Sequence, residues 1–400
     1  MQYGIDHWLT TWGLHAVGAL FAWAIGACIG SFVQVIGDRM PDGISIIRPP
    51  SRCVHCGRKL AAHENLPVFG WIICGGRCWS CGGRIPIRYP MIEFAVGIVF
   101  ALLYLELFAA DDRGWWAPVC GAFYQSHGVL LSLPALCAVG VLLAALVAAT
   151  LTDLRSYSIP LSITLVPTLV GFVAWPLQAA IALPISPTKW PLFLPGAAGT
   201  AAALGGGAGL LITLCLTSAG IWRRSFNDYG EFVREGEVFA DYPHARREMW
   251  VEVRFLLPIA LGLIGGWIVG RGLEWAPTVV MQAAAASLLG YFTGAGLVWA
   301  VRIAGTLWRG QEAMGLGDVH LMGAVGAVMG WVDPVTAFVV APFPALAWVG
   351  IVRLFGRGDR LRKSREIPYG PWLALAQMLL MIGRPMFVQV GRALFPAFFA

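Results

Sequence analysis

The chain has 400 residues, of which 58% are hydrophobic and only 12% charged, about half the charged share of an ordinary soluble domain. Its net charge of +6 raises the question of nucleic acid, but the basic residues fall in short loops between long apolar runs, which is how a bilayer orients a chain. Composition therefore excludes a soluble domain and a nucleic-acid partner, and it predicts an all-α polytopic membrane protein with about eight to ten transmembrane helices and the lipid bilayer as its surroundings.

Residues 14–36 form the first predicted span, apolar enough to cross about 30 Å of hydrocarbon. Asp6 and His7 stand ahead of it, where a cleavable leader would carry basic residues, so this span is expected to stay in the mature protein. From 38 to 90 the chain turns polar and rich in Pro and Gly, with Arg39, Arg48, Arg52, Arg58, Lys59, Arg77, Arg84 and Arg88 against few acids. That excess predicts a cytoplasmic loop and an external N-terminus. Further apolar runs follow at 91–109, 129–150, 160–181, 193–221, 255–270, 277–301, 319–331, 334–352 and 371–390, ten candidate spans in all. Asp333-Pro334 is expected to mark the turn between two of them; one kinked helix there would instead carry the C-terminus into the cytoplasm. The predicted organisation is a first span at 1–37, a loop at 38–90 and a multi-span region at 91–400 that carries a polar cytoplasmic insert at 222–254.

Nine cysteines do not pair evenly, and four fall as Cys53-x-x-Cys56 and Cys78-x-x-Cys81 with 21 residues between the pairs. Two such knuckles supply four thiolates to one tetrahedral zinc, with Gly57 and Gly82 where the backbone must reverse. A closed four-Cys site has no open position, so the metal is read as structural. Cys74 and His55 are spare ligands nearby. Cys28, Cys120, Cys137 and Cys215 lie in or beside apolar runs and are expected in the core. Gly205-Gly206-Gly207 has no strand before it and no Lys-Ser/Thr after it, which argues for close helix packing rather than a phosphate loop. The insert at 222–254 nearly balances its arginines with acids and reads as solvated or as a docking surface.

Two carboxylates remain. Asp153 follows the third predicted span and Asp318, in Gly315-Leu316-Gly317-Asp318, precedes the eighth, so the alternation places both at the cytoplasmic membrane surface although they lie 165 positions apart. An ionisable group there needs a partner or a task. Two aspartates close enough to share a proton can divide the work of amide hydrolysis, one as base and one as acid. The same residues admit other readings: a helix cap at Asp318, an interfacial pair in Asp153-x-Arg155, a transporter with an Asp-pair proton relay, or a catalytically silent assembly factor that docks through its zinc loop.

The motifs now carry a resemblance. Gly30-Ser31-Phe32, Arg39-Met40-Pro41, the two Cys pairs, Asn65 to Trp71, Ile87 to Glu93, Asp153 with Ile159-Pro160, Glu312 with Met314 to Asp318, and Pro368-Tyr369-Gly370-Pro371 resemble in this order the type IV prepilin leader peptidases, membrane aspartic proteases of the bacterial inner membrane. The resemblance implies that Asp153 and Asp318 are the catalytic pair and that the substrate is a prepilin or pseudopilin, cut after a glycine just before its apolar helix. It implies supporting roles for Gly315, Gly317, Glu312 and His320, the glycines leaving room for a substrate backbone beside Asp318. It further implies N-methylation of the new N-terminus with S-adenosylmethionine. The chain departs from the family pattern at Gln34, Gly37 and Asp38, which bears on methyl transfer more than on cleavage, and at Leu161, Gln311 and His320.

Overall fold

The computed structural model describes residues 2–109, 121–181, 190–232, 242–354 and 368–394. Those residues form helices and connecting loops, with no β-strand among them. The helices are α1 (Gln2–Arg39), the short α2 (Phe69–Ile73), α3 (Arg88–Phe108), α4 (Gly121–Leu131), α5 (Leu133–Ser156), α6 (Leu161–Ile181), α7 (Ala197–Ser218), α8 (Ala245–Gly272), α9 (Val279–Arg309), α10 (Leu316–Met329), α11 (Val332–Val340), α12 (Pro342–Leu354) and α13 (Gly370–Leu394). Eight stretches are long and apolar enough to cross a membrane, and two more, Leu316–Met329 and Gly370–Gly383, are apolar but shorter. The protein is a polytopic helical membrane protein, as composition requires.

The chain packs as two compact units. The first takes in Met1–Val129, Leu143–Arg155 and Met378–Ala400, and the second Leu130–Leu142 and Ser156–Gln377. In the first unit α1 lies along α3, and the polar loop follows α1. In the second, α7 packs on α8 and α10 packs on both α6 and α9. The Gly205 triplet sits in the α7–α8 seam, where a methyl group on Gly205 would strike the Gly262 carbonyl; it serves close helix packing, as its lack of phosphate-loop context predicts.

Three differences from the sequence expectations have physical causes. The segment expected as an eighth span is the 14-residue α10, about 21 Å long at 1.5 Å per residue and too short for the hydrocarbon core. It is an interior helix, with every residue from Asp318 to Val328 buried except the half-buried His320. Its last carbonyls cannot meet water, and side chains serve them instead: Trp175 Nε1 donates to Val328 O at 3.0 Å and Ser287 Oγ to Ala327 O at 2.6 Å. The turn after it falls at Gly330, whose φ of 83° suits glycine, and not at Asp333-Pro334. Pro334 instead occupies the first turn of α11, where its missing N–H costs no hydrogen bond. Cys28, Cys137 and Cys215 are exposed on their helices rather than in the core, since a bilayer-facing surface accepts a thiol as readily as the interior does. Cys120 lies outside the described residues.

Candidate active site and metal centre

The polar loop is built on the two Cys-x-x-Cys turns. In each, a backbone N–H four residues on returns to the first cysteine: Gly57 N to Cys53 O at 2.9 Å, and Gly82 N to Cys78 O at 2.8 Å. Gly57 and Gly82 have φ of 70° and 68°, a left-handed backbone that a Cβ would strain. Single antiparallel bridges, Arg52 with Lys59 and Arg77 with Arg84, close the two turns at the same offset of 25 residues. Together they bring the ligand atoms of Cys53, Cys56, Cys78 and Cys81 within 4.8 Å of one another. The Cys53 and Cys81 sulfurs are 3.8 Å apart, close to the edge of a tetrahedron with metal–sulfur bonds of about 2.3 Å. The donor set and its spacing therefore fit a zinc ion held by four thiolates. Backbone N–H groups of Cys81 and Ser80 aim at the Cys78 sulfur and hold its thiol down at about 6, which favours the ligating form. Of the two spare ligands, His55 is engaged elsewhere, its Nε2 3.1 Å from Arg84 O, and Cys74 is outside the cluster.

In the first unit Asp153 lies in the last turn of α5 and is 6% exposed. The N-terminal motifs reach the same turn. Gly37 lets α1 approach closely, for a Cβ there would stand 2.8 Å from the Leu151 Cβ. Two residues beyond Asp153, Arg155 donates from Nη1 to Asp38 O at 2.5 Å and from Nη2 to Asp42 Oδ2 at 2.6 Å. Asp38 also accepts from the Tyr89 hydroxyl at 3.0 Å. Exposed ion pairs of this kind contribute at most about 1 kcal/mol each; their effect is to fix the end of α5 against α1. Gln34, a departure from the family pattern, is buried and donates to Tyr89 O at 3.1 Å, tying α1 to the start of α3.

In the second unit Asp318 is the third residue of α10 and 8% exposed. The N-cap is Gly315, without a side-chain cap, so Asp318 does not act as the capping residue. It sits in the first turn, where the helix dipole favours a carboxylate. A Cβ on Gly317 would stand 2.9 Å from the Ile159 Cβ, so this glycine seats the start of α10 against the Ile159-Pro160 motif. At Gly315 the space is open except toward Asp318, whose Oδ2 would be 3.5 Å from an added Cβ. The Pro368-Tyr369-Gly370-Pro371 motif lies nearby: burial, and then the Asp318 charge, push the Tyr369 phenol up. His320 follows on α10 and is half-buried.

Glu312 leads to residues that the sequence reading missed. Arg302 on α9 is 1% exposed and forks onto Glu252 of α8, Nε to the two carboxylate oxygens at 3.2 and 3.1 Å and Nη2 to Oε1 at 3.1 Å. Its Nη1 donates to the Glu312 carboxylate and to the Met314 carbonyl. Glu252 also accepts from Trp299 Nε1 at 2.6 Å. The polar insert is drawn into the same cluster: the Arg302 guanidinium lies 5.3 Å from the centre of the Phe226 ring, while Glu248, 0% exposed, accepts from the Phe226 N–H at 2.9 Å and from Arg223. The described part of the insert thus buries Tyr242, Glu248 and Glu252 while its arginines, Arg223, Arg224, Arg246 and Arg247 among them, stay exposed. The signal was present in Glu248-x-x-x-Glu252, a spacing that sets two carboxylates on one helical face.

A multi-pass helical protein with a four-cysteine metal loop and buried aspartates at the ends of apolar helices is the class that the fold and site define. The family model of the Bacterial Peptidase A24 N-terminal domain matches residues 24–107, from α1 through the cysteine loop to α3. A prepilin leader peptidase/N-methyltransferase of Burkholderia pseudomallei is 24% identical over 93% of this chain and 87% of its own length. One from Aeromonas hydrophila is 23% identical over 88% of the chain and 87% of its length. The relative from Myxococcus xanthus is 37% identical, over 40% of the chain and 41% of its own length. The chain is thus similar to prepilin leader peptidases/N-methyltransferases along most of its length, in agreement with the order of its motifs. No solved structure matches it.

Proposed function

We propose that the chain is a membrane aspartic endopeptidase that removes the leader of type IV prepilins or pseudopilins at the cytoplasmic face of the bacterial inner membrane, with Asp153 and Asp318 as its catalytic pair. The names of the relatives support the substrate. What supports the reading is that Asp153, in the last turn of α5, and Asp318, in the first turn of α10, are each buried carboxylates at a helix end.

Water attacks the scissile carbonyl while one carboxylate takes its proton and the other, protonated, hydrogen-bonds the carbonyl oxygen. Collapse of the tetrahedral intermediate breaks the C–N bond, and the proton gained from water passes to the leaving amine. Asp318, at the positive end of α10, suits the base. Asp153, at the carbonyl end of α5, suits the acid. The zinc set, closed by four thiolates, leaves no position for substrate and folds the loop.

Asp153→Asn and Asp318→Asn should each lower cleavage of a prepilin by at least about a thousandfold, with metal content and membrane insertion unchanged. Full cleavage by either variant refutes the assignment. The same incubation with labelled S-adenosylmethionine reads methyl transfer separately, the second activity in the relatives' names.

A further inference from the structure

Arg302 lies at the end of an apolar helix, almost wholly shielded from solvent, and engages two carboxylates and one backbone carbonyl. A fork of that geometry is costly to bury and demands donors in fixed directions, which only guanidinium supplies. What it holds is the short connection from α9 to α10. Glu312 and Met314 belong to that connection, and it ends at Gly315, three residues before Asp318. A further contact pins the same stretch, Ala313 N donating to Thr306 Oγ1 at 3.1 Å. Just before it, Arg246 of α8 donates to the Leu307 and Trp308 carbonyls at 3.0 and 3.2 Å, holding the end of α9 ahead of the left-handed turn at Gly310. The anchor on the far side is the Glu252 carboxylate, and Phe226 from the insert covers the guanidinium.

We infer that Arg302 is a positioning residue that clamps the connection before Asp318 to Glu252, so that the segment from Trp222 into α8 is a working part of the catalytic half of the enzyme. This rests on the reading of Asp318 as catalytic. Arg302 touches neither substrate nor the reacting atoms; it sets where the first turn of α10 begins, and with it the direction of the Asp318 carboxylate. A misplacement of about 1 Å at a reacting group can cost on the order of a hundredfold in rate.

The full chain, reconstituted in lipid nanodiscs, tests it with a prepilin as substrate. In the double variant Arg302→Met with Glu252→Met, both charges are removed together and no unpaired charge stays buried, so the bundle should still insert and melt near the wild-type temperature. Its kcat should fall by tenfold or more at nearly constant KM, and amide hydrogen exchange over 310–318 should rise. Arg302→Lys keeps the charge but loses the fork, and should restore only part of the rate. If the double variant does not insert, Glu312→Gln takes its place, because that side chain is 40% exposed and its loss loosens the same connection from the solvent side. Unchanged kcat together with unchanged exchange at 310–318 overturns the clamp. The exchange readout does not depend on activity, so a wild-type chain that fails to cleave, or an active Asp318→Asn variant, would refute the proposed function while leaving the clamp to be judged on exchange alone.

Discussion

Gly317 shows how much one hydrogen atom decides at this site. The space that glycine leaves is taken by Ile159 of the same chain, and this contact ties the two family motifs together. The sequence reading assigned that space to substrate, because a Gly-x-Gly run announces close approach without saying what approaches. Gly317→Val should therefore act from inside the protein: its branched side chain must push Ile159 or the first turn of α10 aside, and cleavage should drop by at least about tenfold, with little change in KM. Gly315→Ala, which meets open space apart from Asp318, should be milder. A steady-state comparison of the two checks this. The four-cysteine cluster was legible because chemistry restricts residue type and spacing; Asp153 and Asp318 stood out as acids beside apolar runs, and both are buried at helix ends. Arg302 was not legible: alone in the sequence it looks like a helix-end charge, and its partners stand 50 positions before it and 10 after.

At the scale of elements, the metal loop was the most legible part, since each knuckle carries its own ligands, its own glycine and its own bridge. Neither knuckle offers more than two thiolates, so an ion held by all four would join the two halves of the loop between α1 and α3. Cys53→Ser should release zinc and expose the 38–90 region to protease, while Asp153 and Asp318 stay in helices that the loop does not build. Metal analysis and limited proteolysis of the purified chain check it; unchanged metal content would count against the four-thiolate set. The insert was the least legible element. Balanced charges suggest solvation when they are read along a line, yet α8 starts within the insert at Ala245 and turns Glu248 and Glu252 inward. Helical periodicity decides which of those charges meet water, and a tally of signs does not carry it.

Across the whole molecule, the alternation of apolar runs and basic loops foretold a polytopic helical protein, and its error was to count every apolar run as a crossing. Hydropathy measures how a segment would fare in lipid; it cannot tell a helix facing lipid from one enclosed by other helices. The proposed orientation makes a testable pattern. Alkaline phosphatase, active only outside the cytoplasm, should be inactive when fused after Gly230 or Arg309 and active after Gly272. The reverse pattern would place the aspartates on the opposite face. The enclosure of α10 also has a consequence for biogenesis. A 14-residue helix whose terminal carbonyls rely on Trp175 and Ser287 cannot leave the translocon as a stable unit by itself. Those two side chains belong to α6 and α9, both synthesised earlier, so they are waiting when α10 emerges. Asp318 is thus carried into place by a late step of an ordered assembly, one that waits for α6 and α9 to be in the membrane.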